Sequence, residues 1–319
     1  MAPSGARGPT LADLSEEALL RLILPLLRGG PEPLVGPGDD AAVVRPDGCT
    51  VVTTDTMARG RDWRDEWSTP ADVGAKVVAQ NLADVAAMGA RPTGVVVTVV
   101  ADPATPLGWV VDFARGLGEA TRAADVAVLG GDLSSAPAGT LLVSVTALGE
   151  LDDCRPVLRS GARVGHVVAV AGSLGLASAG WRLLEAGRAQ AHPVAVRTQL
   201  RPVPPLSQGP AAARAGASAM LDLSDGLLRD GDRLARASGV ALDLDRDALQ
   251  PDVAGLRDAL GEELAWECVL AGGEEHSLLA TFPGAPPPGW RIVGRVVAGA
   301  GVRVGGIPQS ARGWDHFHA

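Results

Sequence analysis

Tyrosine is absent from this 319-residue chain, and all aromatic residues together make up only 3% of it. Stacking platforms for nucleobases are therefore scarce. Lysine is nearly absent too: among 28 basic residues there is a single one, Lys76. It sits in Val73-Gly74-Ala75-Lys76-Val77 with no Gly-rich loop before it. That excludes a Walker P-loop and disfavours a kinase β3 lysine or a pyridoxal Schiff base. Any phosphate chemistry must rely on arginine, backbone N–H groups and metal ions. Cysteine is limited to Cys49, Cys154 and Cys268, with no C-x-x-C pair. The scattered odd count reads as reduced, mostly core-filling thiols of a cytoplasmic protein. No G-x-S-x-G elbow occurs and no Ser or Cys stands in a nucleophile context, so no catalytic nucleophile is expected. The five histidines form no spaced cluster, which argues against zinc. The first residues lack an apolar h-region, so positions 1–12 read as a loose tail rather than a signal peptide. The stretch from Val164 to Trp181 is broken by glycines and reads as strand-turn-helix, not as a membrane span.

What is present points to a folded chain. With 46% apolar and 20% charged residues the chain can bury a real core. A net charge of -9 argues against nucleic acid or an anionic membrane as the main partner. Length favours two domains, an α/β unit over 13–150 and a second over 151–319. In the first, a helix after Asp13 is followed by short β-type runs at Ala41–Val44 and Thr50–Thr54. Thr69-Pro70-Ala71-Asp72 then supplies an N-cap, an N1 proline and an N3 carboxylate for a helix reaching Met88. Strands at Val95–Val100, Val126–Leu129 and Leu141–Leu148 surround a helix over Leu107–Ala120. In the second, strands are expected at Val167–Ala171, Ala219–Leu223, Ala241–Leu244, Leu278–Phe282 and Ile292–Val297. Helices are expected at Ala177–Glu185, Val194–Leu200 and Leu227–Ala237, the last closed by Gly239. Gly299-Ala300-Gly301 reads as a hairpin turn, and Asp243–Asp247 as a strand end and turn.

The carboxylates carry the functional signal. A set of them stands beside Gly, Thr or Ser at the ends of apolar strands: Gly38-Asp39-Asp40-Ala41, Thr53-Thr54-Asp55-Thr56, Asn81-Leu82-Ala83-Asp84, Gly130-Gly131-Asp132, Asp222-Leu223-Ser224-Asp225-Gly226 and Gly272-Gly273-Glu274-Glu275. Any one of them could be an ordinary turn, because Asp-Gly pairs are common turn formers. Six in one chain is a different matter. If such carboxylates converge, hard divalent cations are the natural relief of their repulsion, and Mg²⁺ suits carboxylates together with phosphate oxygens. Ser224-Asp225 just before a helix at Leu227 is expected to set helix N-terminal amides near anions.

Taken in this order, the motifs resemble the thiamine-monophosphate kinase family. That family belongs to the superfamily of aminoimidazole-ribonucleotide synthetase, selenophosphate synthetase and the hydrogenase-maturation dehydratase. The resemblance runs from about Asp13 to Phe317. It includes Gln80–Ala90, Leu158-Arg159-Ser160-Gly161-Ala162 and Gly313-Trp314-Asp315-His316-Phe317. It implies a two-domain aminoimidazole-ribonucleotide synthetase-like α/β fold with mixed sheets, the N-terminal sheet pairing across a homodimer. It implies ATP-dependent phosphorylation of thiamine monophosphate to thiamine diphosphate, assisted by several Mg²⁺ ions. By analogy Asp40, Thr53, Thr54, Asp55, Asp84, Asp132, Asp222 and Asp225 hold magnesium. Gly131, Asp132, Arg159 and Ser224 meet ATP, while Glu274 and Trp314 meet the thiamine end. Three places depart from the family pattern. Asp62 and Trp63 replace the usual His and Phe, and Asp62 becomes a candidate contact for the cationic substrate. Glu274-Glu275-His276 replaces Glu-Asp-Tyr. Leu133-Ser134-Ser135 replaces Thr-Thr-Arg. The rival readings are another ATP-using superfamily member, such as an aminoimidazole-ribonucleotide synthetase, and a non-catalytic metal- or nucleotide-binding subunit.

Overall fold

The computed structural model describes residues 8–36, 41–153 and 155–314. Asp40, Cys154 and the Asp315-His316-Phe317 end of the closing motif lie outside the described residues. The chain divides into two compact units, one of Met1–Pro46, Val52–Asn81 and Thr93–Leu148, the other of Asp47–Val51, Leu82–Pro92 and Gly149–Ala319.

The first unit holds helix α1 (Glu16–Ile23), strand β1 (Cys49–Ala58), helix α2 (Pro70–Ala87), strand β2 (Arg91–Ala101), helix α3 (Leu107–Ala123) and strands β3 (Ala127–Ser135) and β4 (Leu141–Leu151). Some of these elements run past its boundary, and the division within α2 falls between Asn81 and Leu82. The strands form one sheet in the order β1-β4-β2-β3, with β2 and β3 parallel. The start of α2 follows from its capping residues. Thr69 N–H and Oγ1 both donate to Asp72 Oδ2, at 2.9 and 2.7 Å, and Asp72 N–H donates back to Thr69 Oγ1 at 3.2 Å. These reciprocal bonds satisfy amides that a helix start otherwise leaves unpaired. The run Ala41–Val44 forms no strand; it makes a single bridge, Val35 to Val43.

The second unit runs through β5 (Val167–Ala171), α4 (Leu176–Glu185), α5 (Pro193–Leu200), α6 (Gln208–Arg214), β6 (Ala219–Leu223), α7 (Leu227–Ser238), β7 (Ala241–Leu244), α8 (Arg246–Leu260), α9 (Glu262–Ala271), β8 (Ser277–Phe282), β9 (Arg291–Val297), β10 (Gly301–Val304) and β11 (Ile307–Gln309). Its seven-stranded sheet has the order β11-β10-β7-β9-β5-β8-β6. Both faces are covered. Val168, Val170, Leu221 and Leu279 pack into one apolar cluster, and Ala169, Ala171, Met220, Leu278 and Phe282 into another. That is why these strands read as continuous apolar runs rather than as alternations. Gly299–Gly301 is not a hairpin turn, because β7 lies between β9 and β10, and β10 pairs with β7 in parallel. The hairpin is instead β10 to β11, antiparallel.

Cys49 is disulfide-bonded, so the expectation of reduced thiols fails there. Cys268 is free and buried, as a core-filling thiol should be. Among the described residues no helix is long and apolar enough to cross a membrane.

Candidate functional site

In the first unit the candidate residues of β1 divide by strand pleat, since successive side chains point to opposite faces. Asp55 is fixed through its backbone: its N–H donates to Asn81 Oδ1 at 3.0 Å, while Asn81 Nδ2 donates to Val77 O at 2.8 Å within α2. Asn81 is fully buried, so its amide ties α2 to the middle of β1. Thr54 lies on the other face. Its hydroxyl donates to Val145 O at 3.0 Å and accepts from Thr146 Oγ1 at 3.2 Å, on neighbouring β4. The structure thus sets the Thr54 side chain apart from those of Thr53 and Asp55.

On β3, Asp132 Oδ2 accepts from Ser134 Oγ at 2.7 Å. Gly131 before it is required by close strand approach, because a Cβ there would lie 2.2 Å from Val97 O. Gly130, Gly131 and Asp132 line a cavity of about 730 Å³ whose other walls include Val97, Phe113 and Leu129. Asp62 is turned onto its own loop. Its Oδ2 accepts the Ala58 N–H at 2.7 Å, and its carbonyl accepts from Lys76 Nζ at 3.4 Å.

The second unit gathers a buried acidic group. Asp222 is 5% exposed on β6, a strand otherwise wholly apolar. Its Oδ2 lies 3.1 Å from His276 Nδ1. Burial alone would strip the imidazole of its proton, but the hydrogen bond and charge of Asp222, with the charges of Glu274 and Asp84, outweigh it and raise the His276 pKa above 6.5. Asp84, Asp222 and Glu274 therefore share one electrostatic neighbourhood around His276. Asp84 stands one turn after Asn81 on α2.

Asp225 is held by arginines, with Arg233 Nη1 at 2.6 Å and Arg229 Nε at 3.8 Å from its Oδ2. Two amides just before α7 are engaged within the chain. Asp230 Oδ2 accepts both Asp225 N–H at 2.8 Å and Gly226 N–H at 3.0 Å. Asp230 is only 1% exposed; sequence reasoning missed it because it reads as one more polar residue in an amphipathic helix. The carbonyls of this turn are taken as well. Ser224 O accepts from Glu274 N–H and Asp225 O from Trp314 N–H, each at 3.0 Å. Ser224, Asp225, Glu274 and Trp314 thus form one backbone-linked group. Arg159 is exposed on a separate loop, where its carbonyl accepts from Ser238 Oγ at 3.1 Å.

The loop Gly272–His276 is strained. Glu274 and His276 have φ of 70° and 55°, rare for residues with side chains. Gly273 allows the close approach, since a Cβ there would lie 1.9 Å from Ser224 O. Each side chain of the loop has a buried anchor: Glu274 on Gln199, Glu275 on the first amides of α4, His276 on Asp222. Burial pushes the Glu275 carboxyl up to about 8, against the pull of the Leu176, Ala177 and Gly175 amides. A carboxyl raised above its ordinary 4.5 holds a proton that the unfolded chain has already released. Its stabilising contribution is complete below the unfolded value and is lost as pH rises through 8. Glu275→Gln keeps an acceptor for those amides and never ionises. Its melting temperature is expected to exceed the wild type's at about pH 9 and to match it or fall below it at about pH 5, in thermal melts across that range.

Among the described residues, no group of three or more His, Cys, Asp or Glu side chains is already arranged to hold a metal ion. Comparison with known proteins adds to this geometry. Residues 38–151 match the family model "AIR synthase related protein, N-terminal domain". A thiamine-monophosphate kinase of Mycobacterium tuberculosis is 45% identical, across 97% of this chain and 93% of that protein. The crystal structure of thiamine-monophosphate kinase from Stenotrophomonas maltophilia K279a aligns with a TM-score of 0.81 at 32% identity, over 93% of this chain and 98% of that one. AaThiL complexed with AMPPCP and TMP aligns with a TM-score of 0.78 at 30% identity, over 99% and 100% of the two chains.

Proposed function

The chain belongs to the thiamine-monophosphate kinase family, and on that premise we propose that it transfers the γ-phosphoryl group of ATP to thiamine monophosphate by direct in-line displacement, assisted by several magnesium ions. The observation that carries this reading is Asp222, a buried carboxylate on an apolar strand, grouped with Asp84 and Glu274 around His276. One Asp222 oxygen is engaged by His276, and the remaining carboxylate oxygens of this group are the donor type that fits a hard cation. Magnesium would be held by Asp84 and Asp222 in the second unit and by Thr53, Asp55 and Asp132 in the first. Thr54 can take part through its backbone, since its hydroxyl is bonded to β4. Asp225, already paired with Arg233, would join only if that ion pair opened. When bound, magnesium supplies charge neutralisation between the two anionic phosphates.

The chain's own residues do the rest. An acceptor phosphate oxygen is nucleophilic at neutral pH, so no protein base or nucleophile is required. Gly131, Asp132, Ser224 and the exposed Arg159 are the ATP contacts. The carboxylate of Glu274 and the indole of Trp314 suit a cationic thiazolium. Asp62 remains a candidate substrate contact, although one of its oxygens already accepts the Ala58 N–H. The reading also carries a cytoplasmic homodimer formed through the first unit's sheet. Val52, on the edge strand β1, is 60% exposed, which suits a covered surface.

The test is to supply ATP, Mg²⁺ and a panel of phosphorylated acceptors. ADP and thiamine diphosphate should form with thiamine monophosphate and cease when a chelator is added. Labelled γ-phosphate should leave no covalent mark on the protein. A trapped phosphoenzyme, or turnover with another acceptor in place of this one, would overturn the reading.

A further inference from the structure

Gln199 lies in the last turn of α5, 3% exposed. Its Nε2 donates to Glu274 Oε2 at 2.7 Å. A carboxylate only accepts, so this bond fixes which way the amide faces. The other amide atom, Oε1, is buried and has no partner among the described residues. A buried carbonyl left without a donor is destabilising, and an apolar side chain of the same shape would avoid that cost. Packing of α5 therefore does not explain the amide, whereas its bond to Glu274 does.

Glu274 has reason to be held. Its φ of 70° sets it in the left-handed region, and its N–H is anchored on Ser224 O at 3.0 Å. The backbone thus fixes where the side chain starts, and Gln199 fixes where it ends. A long carboxylate side chain otherwise samples several rotamers, and a ligand that selects one of them loses affinity accordingly. We infer that Gln199 is a positioning residue: by holding the Glu274 carboxylate in one orientation, it sets the enzyme's affinity for the cationic ring of the acceptor. This rests on the reading of Glu274 as an acceptor contact given above.

Steady-state kinetics of the full-length protein test it. Gln199→Met keeps the shape and removes the donor. The KM for thiamine monophosphate is expected to rise about tenfold, with the ATP KM and kcat within about twofold of wild type. The double variant Gln199→Met/Glu274→Gln should be no worse than Glu274→Gln alone, because the amide acts through the carboxylate. Gln199→His, which keeps an N–H donor at similar reach, should restore most of the affinity. If Gln199→Met does not fold, Gln199→Asn draws the amide back by one methylene and should raise the same KM. An unmoved KM for thiamine monophosphate in a folded variant overturns the inference, as do single-variant effects that multiply in the double. Wild-type protein that makes no thiamine diphosphate overturns the functional reading and this inference with it. Normal wild-type turnover with an unmoved KM overturns this inference alone.

Discussion

Asp55→Asn is expected to lower kcat by at least about 10²-fold, the scale of losing one key electrostatic contact to the transition state. The backbone at this position is held by Asn81, whose Oδ1 accepts the Asp55 N–H at 3.0 Å, so the substitution changes charge and not place. The new side chain has nearly the same shape, and the strand should keep its register. The loss should therefore appear in turnover with little change in melting temperature. Titrating magnesium into the assay separates the causes. A variant whose activity returns at high magnesium has weakened metal binding, and one that stays slow has lost a contact made in the transition state. A folded Asp55→Asn variant with near-normal kcat at all magnesium levels would remove Asp55 from the proposed site.

Local chemistry made much of the fold legible. The capping box at Thr69–Asp72 is written in side chains that act within one turn, and the structure shows both of its bonds. The strand over Ala219–Leu223 and the left-handed Gly239 that ends α7 were readable for the same reason. What depended on distant partners was not. Gly299–Gly301 has the composition of a hairpin, yet its flanking strands are separated by β7, which enters the sheet from some 60 positions earlier. Helix α8 was missed because Pro251 sits inside it and Gly255 weakens it further. Its start could have been found, since Asp245 caps it by accepting the Asp247 N–H at 2.9 Å.

The candidate site divides the same way. Asp222 stood out as a carboxylate within an apolar run, and burial makes such a residue costly unless it has a task. Thr53, Thr54 and Asp55 were grouped as ligands by the family resemblance, although strand alternation already separates the middle one from its neighbours. Gln199 gave no signal, because a glutamine late in a helix is usually solvated and its partner lies 75 positions away. Asp230 could have been suspected. The helix it belongs to begins after Gly226, a residue with no side chain to cap the amides, and a carboxylate four positions later can reach back to them.

Asp230→Ala carries the largest expected loss of stability. The carboxylate accepts from Asp225 N–H and Gly226 N–H and pairs with Arg233 Nη1 at 2.6 Å. Truncation leaves two amides without their acceptor and Arg233 with Asp225 as its remaining partner in this network. Losing one partner of a buried charged network costs about 3–5 kcal/mol. The denaturant midpoint should fall accordingly, and kcat with it, because the Ser224–Gly226 turn that carries Asp225 loses its clamp. Asp230→Asn separates charge from shape: one carbonyl oxygen can still accept both amides, so it should recover part of the stability. The pH dependence distinguishes it further. Burial first, then repulsion from Asp222, pushes the Asp230 carboxyl from 3.8 up to about 7. Its stabilising contribution is complete below the unfolded value and declines as pH rises through 7. The asparagine variant cannot ionise, so its deficit against wild type should be largest in mildly acidic solution and should shrink above neutrality. Denaturation curves at about pH 5 and pH 8 measure this directly. A deficit that stays flat between about pH 5 and pH 8 would mean that Asp230 is anionic throughout, with Arg233 rather than burial setting its charge.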